Sequence, residues 1–171
     1  MSIYIIAVLL IGLGIALDQY TKYLAVINLK EAPISIIDGV FELRYLENRG
    51  AAFGILQNKQ WFFLIIGFLL LATAIILFVR LPHTKRVMPL RICMIFITSG
   101  AIGNMIDRIR LNYVIDFLYF ELIDFPIFNV ADIYVSVSTF VLAALLLFYY
   151  KDEELDKFFH TFSFKKKAEQ E

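Results

Sequence analysis

Four stretches of the chain are too apolar and too long to be ordinary strands. Ile3 to Leu17 carries no charge, and its helical pattern continues through Asp18 and Lys22 to about Val26. Trp61 to Val79 is apolar without interruption. Ile92 to Ile106 is apolar but holds Thr98, Ser99, Gly100, Gly103 and Asn104. Ile133 to Tyr150 is apolar and follows Asn129 and Asp132. A hydrocarbon core of roughly 30 Å needs about 20 helical residues, so spans one, three and four must admit polar residues at one end. The pattern predicts an all-α membrane protein with four transmembrane helices in residues 1–150, and a cytoplasmic tail over 151–171.

Charge gives the expected orientation. Arg80, Lys85, Arg86 and Arg91 lie between spans two and three with no acid among them, and Lys151, Lys157 and Lys165 to Lys167 follow span four. Basic loops stay in the cytoplasm. Both termini and the middle loop are therefore expected inside, with the loops near 27–60 and 109–128 outside. Asp18 and Lys22, then Asn104, Asp107 and Arg108, then Asn129 and Asp132, all fall at the outer end of a span. An acid at the centre of a membrane helix costs roughly 2.5–3.5 kcal/mol, which makes such residues functional candidates. Asp18 and Lys22 are four residues apart, as are Gly100, Asn104 and Arg108 in series. Asn129 and Asp132 are three apart, with Ser136 a turn further on. Each set shares a helix face, expected to point into the bundle because lipid cannot satisfy it.

The outer loops add short extended elements. Asp38-Gly39 is a turn signal, and Phe41, Leu43 and Tyr45 alternate with Glu42 and Arg44, so Ile34 to Leu46 predicts an amphipathic hairpin on the membrane surface. Next come Asn48, Arg49, Gly50, Ala51, Ala52, Phe53 and Gly54, small residues that permit close backbone approach or form a plain loop. Asp116 lies in the apolar, strand-like run Val114 to Leu118. Glu121 and Asp124 have more polar surroundings and are expected to be solvated. The tail mixes charges with Phe158, Phe159, Phe162 and Phe164, which fits a segment on the membrane surface or a frayed one.

Composition sharpens this picture. Of 171 residues, 60% are hydrophobic and 19% charged, with formal net charge +0, which gives no electrostatic reason to expect nucleic acid. The one cysteine, Cys93, cannot form an internal disulfide and is expected to be buried and inert. The first apolar run has no basic segment before it and no small-residue cleavage site after it, and is expected to be a retained helix.

Elimination narrows the chemistry. The two histidines, His83 and His160, belong to the inner segments, so neither a histidine zinc site nor a Ser–His pair is expected at the outer face. A Ser–Lys pair would need Lys22 beside Ser99 or Ser136, which lie at least a turn below the polar layer. Carboxylates remain: Asp18, Asp107, Asp116 and Asp132. Asp18 has Lys22 one turn away and Asp107 adjoins Arg108, so these two suit ion pairs or substrate orientation. Asp116 and Asp132 have no local basic partner. Two such groups in low dielectric share a proton, and the ionised member can activate water while the protonated one polarises a carbonyl. Singly, Asp132 reads as a helix cap and Asp116 as a surface strand residue. Together, with Asn48, Asn104, Asn129 and Arg108 nearby, they favour an aspartyl protease. A proton-coupled transporter using Asp18, Asp116 and Asp132 as a relay is the alternative, and a non-enzymatic assembly subunit a third. The acids gather at one face rather than at the midplane, which counts against transport.

In sequence the chain resembles the signal peptidase II family. Five stretches carry the resemblance, in order: Asp18 to Lys22, Asn48 to Gly54, Gly100 to Arg108, Val114 to Phe117 and Phe125 to Asp132. The resemblance implies a catalytic dyad of Asp116 and Asp132. It implies a lining of Asn48, Gly50, Gly100, Asn104, Arg108, Asn129 and Ala131, with Asp18 and Lys22 in support. It implies a prolipoprotein substrate cut just before a diacylglyceryl-modified cysteine, a cradle formed by the outer hairpin, inhibition by globomycin-type cyclic peptides, and no metal or cofactor. The family usually has glycine where this chain has Ser99, a change expected to tighten packing between spans three and four.

Overall fold

A computed structural model describes residues 2–50 and 59–159. The elements are α1 (Ile3–Asn28), β1 (Ile34–Ile37), β2 (Phe41–Asn48), α2 (Gln60–Arg80), α3 (Met88–Leu111), β3 (Val114–Tyr119), α4 (Val130–Ala144) and α5 (Asp152–Phe159). A π-turn over Leu145–Tyr149 extends α4. Among the described residues, four helices are long and apolar enough to cross a membrane, as the hydropathy pattern predicts.

Each helix boundary has a local cause. Pro89 opens α3, where its missing N–H is not needed, and Asn112 closes it in the left-handed conformation at φ 62°. Asn129 and Asp132 form a reciprocal capping box at the start of α4. The helices run further than their uncharged cores, because polar residues at their ends find partners inside the protein.

α3 is the central helix. In its most apolar stretch 67% of residues are buried, against 11%, 6% and 11% in α1, α2 and α4, whose apolar side chains face outward. Small residues let its neighbours close in. A Cβ on Gly100 would collide with the Ala131 carbonyl oxygen of α4, and one on Gly103 would lie 2.5 Å from Asp18 Oδ2 of α1. Ser99 does not act between spans three and four as expected. Its hydroxyl bonds to the Ile95 carbonyl, and it fits against α1, where a Cβ on Gly14 would meet its Oγ at 2.8 Å.

The predicted hairpin is part of a larger sheet. Strands β1, β2 and β3 form an antiparallel sheet in that order. Ile34 pairs with Leu43, and Gly39 at φ +69° makes the turn. Asn48 pairs with Val114 and Leu46 with Asp116, with a register shift before Leu43 meets Leu118. Glu42 does not lie on a solvated face: it is buried and paired with Arg44. Phe128 bridges Leu118, so the chain returns to β3 immediately before α4 begins.

Two apolar clusters lie along the bundle. Ala7, Phe78, Leu81, Val87, Leu90, Met94, Ile95 and Tyr150 fill the end away from the sheet. Ala25, Leu29, Ile115 and Phe117 seal the sheet against α1. Cys93 is buried, as expected.

Candidate active site

A layer of buried polar side chains lies near the sheet. On its α1 side, Asp18, Lys22 and Asp107 are 0%, 1% and 2% exposed. Lys22 Nζ donates to Asp18 Oδ2 and Asp107 Oδ2, each at 2.9 Å, and to Asn104 Oδ1 at 2.8 Å. The ammonium has three donors, and all three are used. The carboxylates are satisfied in turn: Asp18 Oδ1 accepts from the Ala131 N–H, and Asp107 Oδ2 from the Ile115 N–H. Gln19 Nε2 donates to Asp18, Asp107 and the Gly103 carbonyl. One ion cluster thus fastens α1 to α3, to β3 and to the first turn of α4. Asp107 is a structural ion-pair residue, as its sequence context suggests, but its partner is Lys22 rather than the adjacent Arg108, since adjacent helical residues diverge.

Lys22 leads through Asn104 to the second half. Asn104 uses its oxygen for Lys22 and for Asn129 Nδ2, which leaves its own Nδ2 to donate to Asp132 Oδ1 at 2.8 Å. Asp132 Oδ2 accepts from the Asn129 N–H at 3.2 Å, and Asn129 Oδ1 accepts from the Asp132 N–H at 3.0 Å. Asn129 Nδ2 also donates to Asp116 Oδ1 at 2.6 Å. Asn48 Nδ2 completes the pattern at Asp116 Oδ2, 2.8 Å away. Asp116 is 1% exposed and Asn129 0%, whereas Asp132 is half-buried. Asp116 is therefore no surface strand residue. Asp132 does cap α4, and the same carboxylate faces Asn104.

Neither Asp116 nor Asp132 forms a salt bridge among the described residues. Burial, followed by the nearby Asp132 carboxylate, pushes the Asp116 carboxyl up to about 7, against the opposing pull of the Asn48 and Asn129 amides. Such a carboxyl group is protonated far more readily than an exposed aspartate, and it lies near a second carboxyl group on another element.

The remaining candidates divide. Among the described residues Arg108 bonds to no carboxylate and its Nε has no hydrogen-bond partner; Nη1 approaches the Asn104 carbonyl at 3.4 Å, and the guanidinium lies 5.0 Å from the Phe63 ring. The Gly50 N–H donates to Asn48 Oδ1, which orients the Asn48 amide toward Asp116. Gly100 and Ala131 form the backbone contact between α3 and α4. Ala51 to Gly54 lie outside the described residues. Ser136 is exposed rather than directed into the bundle, and Lys22 bonds to neither it nor Ser99. His83 sits at the opposite end, bonded to Tyr4 and Arg91. Glu121 and Asp124 are exposed, as expected. Sequence reasoning passed over Gln19, although its position beside Asp18 in the first motif was a signal.

Four membrane-length helices around a buried carboxylate network define a multi-pass membrane protein. A family model described as signal peptidase (SPase) II matches residues 10–148, and the chain belongs to that family of peptidases. The lipoprotein signal peptidase of Clostridioides difficile (strain 630) is 46% identical over 144 residues, spanning 83% of this chain and 95% of that one. The lipoprotein signal peptidase of Streptococcus thermophilus (strain CNRZ 1066) is 45% identical over 133 residues, spanning 77% and 86%. A solved bacterial membrane enzyme superposes with a TM-score of 0.73 at 28% identity, covering 96% of this chain and 94% of the other.

Proposed function

We propose that this protein is an aspartyl endopeptidase that removes the signal peptide of diacylglyceryl-modified prolipoproteins, cutting just before the lipid-modified cysteine. Membership of the signal peptidase II family and the names of its relatives support the substrate class. The observation that carries the acid mechanism is the placement of Asp116 and Asp132. Both reach one asparagine-linked network from separate elements, and neither has a basic ion-pair partner among the described residues.

In this reading the two carboxyl groups share one proton. The ionised member takes a proton from water as its oxygen attacks the scissile carbonyl, and the protonated member hydrogen-bonds the carbonyl oxygen as charge develops there. Collapse of the tetrahedral intermediate breaks the C–N bond, with a proton passing to the leaving amine. Asn48, Asn104 and Asn129 hold the carboxylate planes, and the Asp18–Lys22–Asp107 cluster braces Asn104 and the start of α4. Arg108, with spare N–H donors, binds substrate carbonyl groups, and Gly50, Gly100 and Ala131 keep the surrounding backbone close. The same lining accepts globomycin-type cyclic peptides as inhibitors.

The distribution of basic loops supports cytoplasmic termini and a site near the extracytoplasmic face of a bacterial cell membrane. Two acyl chains confine the substrate cysteine to the membrane boundary, so a site there gains proximity from the lipid itself. The test is a gel-shift cleavage assay on purified protein with the diacylglyceryl-modified precursor and its unmodified form. Cleavage of the lipidated form alone is expected. Equal cleavage of both would remove the lipid from the reading, and no cleavage by folded protein would return a transporter or assembly subunit.

A further inference from the structure

The end of the bundle away from the carboxylate network carries features the peptidase reading does not use. An apolar groove of about 360 Å³ runs between α1 and α2 over α3, lined by residues including Val8, Ile11, Ile75, Phe78 and Met94. It extends on α1 from Tyr4 to Ile11 and on α3 from Met94 to Ile102. That is about 10–12 Å of helix, comparable with the depth of one leaflet's hydrocarbon. Tyr4 also lines a second cavity of about 420 Å³ at the groove's mouth, with Ser2, His83, Thr84, Lys85 and Met88. Tyr4 precedes Asp18 by about 21 Å along α1, so the mouth is remote from the candidate active site, although the groove's far end at Ile102 comes within a turn of Asn104.

The mouth has the chemistry to receive an anion. Arg91, 1% exposed, bonds to the Leu81 carbonyl at 2.6 Å and to His83 Nδ1 at 3.3 Å. Its Nε and Nη1 lack hydrogen-bond acceptors among the described residues. A guanidinium only donates, so His83 Nδ1 accepts from it. The neutral ring then carries its proton on Nε2 and donates to the Tyr4 oxygen, 3.2 Å away. That leaves the Tyr4 hydroxyl proton free to donate outward. Lys85 lines the same mouth, and no acid does. A hydroxyl donor and an ammonium thus line the mouth where the apolar groove opens, with the buried Arg91 behind His83 and over the Phe78 ring.

We propose that this surface binds one anionic phospholipid, with its phosphate at Tyr4, His83 and Lys85 and one acyl chain in the α1–α2 groove. The phosphate accepts from the Tyr4 hydroxyl and offsets the charge of Arg91, and the chain covers Val8, Ile75 and Phe78. The proposal requires only that the helices span a membrane, and stands apart from the peptidase reading.

The experiment compares lipid retained by the detergent-purified full chain after exposure to phosphatidylglycerol or phosphatidylcholine, read by native mass spectrometry and by the thermal midpoint. One phosphatidylglycerol is expected to be retained and to raise the midpoint, with phosphatidylcholine about tenfold weaker. The double variant H83A/K85A should lose the preference, and Ile75→Trp, which fills the groove from an exposed position, should lose retention of both lipids. Neither variant touches the carboxylate network, so cleavage activity reports folding independently. Equal retention of the two lipids by the wild type, unaltered retention by folded variants, or the same stabilisation from inorganic phosphate alone would overturn the proposal.

Discussion

Asn129 performs two functions at one position. Its oxygen caps α4 through the Asp132 N–H, and its amide nitrogen reaches both Asp116 and Asn104. An aspartate there would still cap the helix, but it would place another carboxylate against Asp116. Asp132 is double in the same way, as a capping-box acid and a proposed member of the dyad. From sequence, cap and catalyst look like competing readings of Asp132, whereas the capping box and the Asn104 contact occupy the same carboxylate, so the proposed role is compatible with the cap. The titration of Asp116 carries a pH prediction. Its pKa is raised to about 7, so in the proposed dyad the shared proton would be lost as pH rises through that value. Both carboxyl groups are then ionised and the carbonyl loses its proton donor. The rate of cleavage is expected to fall above about pH 7, approaching tenfold per pH unit. A pH–rate profile of the purified protein checks this, and a rate that climbs steadily through the alkaline range would contradict it.

At the scale of the elements, close approach along α3 determines whether the network forms. Gly103 leaves room for the Asp18 carboxylate, whereas a Cβ on Gly12 of α1 would meet nothing within 4 Å. Gly103→Ala is therefore expected to destabilise the protein by about 1–3 kcal/mol. Gly12→Ala should be neutral or stabilising by at most about 1 kcal/mol. Thermal unfolding in detergent compares the two, and equal behaviour would remove the packing argument. Much of this was legible in sequence. The spacing of Gly100, Asn104 and Arg108 put Asn104 on a face pointing into the bundle, and the alternation after Asp38-Gly39 gave the hairpin. Two features were not legible. Asp107 joins a lysine on another helix, and pairing across helices leaves no trace in local spacing. Val114 to Tyr119 adds a third strand through a shifted register with β2, which a six-residue apolar run does not specify.

For the whole molecule, the central claim of orientation rests on charge. Sheet, carboxylate network and Arg108 lie at one end of the bundle, and Tyr4, His83 and Arg91 at the other. The basic loops predict that the first end is extracytoplasmic. A membrane-impermeant maleimide should label Asp38→Cys on intact cells and Thr84→Cys only after permeabilisation, with buried Cys93 contributing little background. The reverse pattern would put the site on the cytoplasmic side and end the proposed route to lipidated substrate.

The most direct measurement is the cleavage assay applied to Asp116→Asn and Asp132→Asn, each first shown to insert and unfold like the wild type. The dyad predicts that each variant alone loses at least about a hundredfold in rate on the diacylglyceryl-modified precursor. Normal turnover by either folded variant would contradict the account.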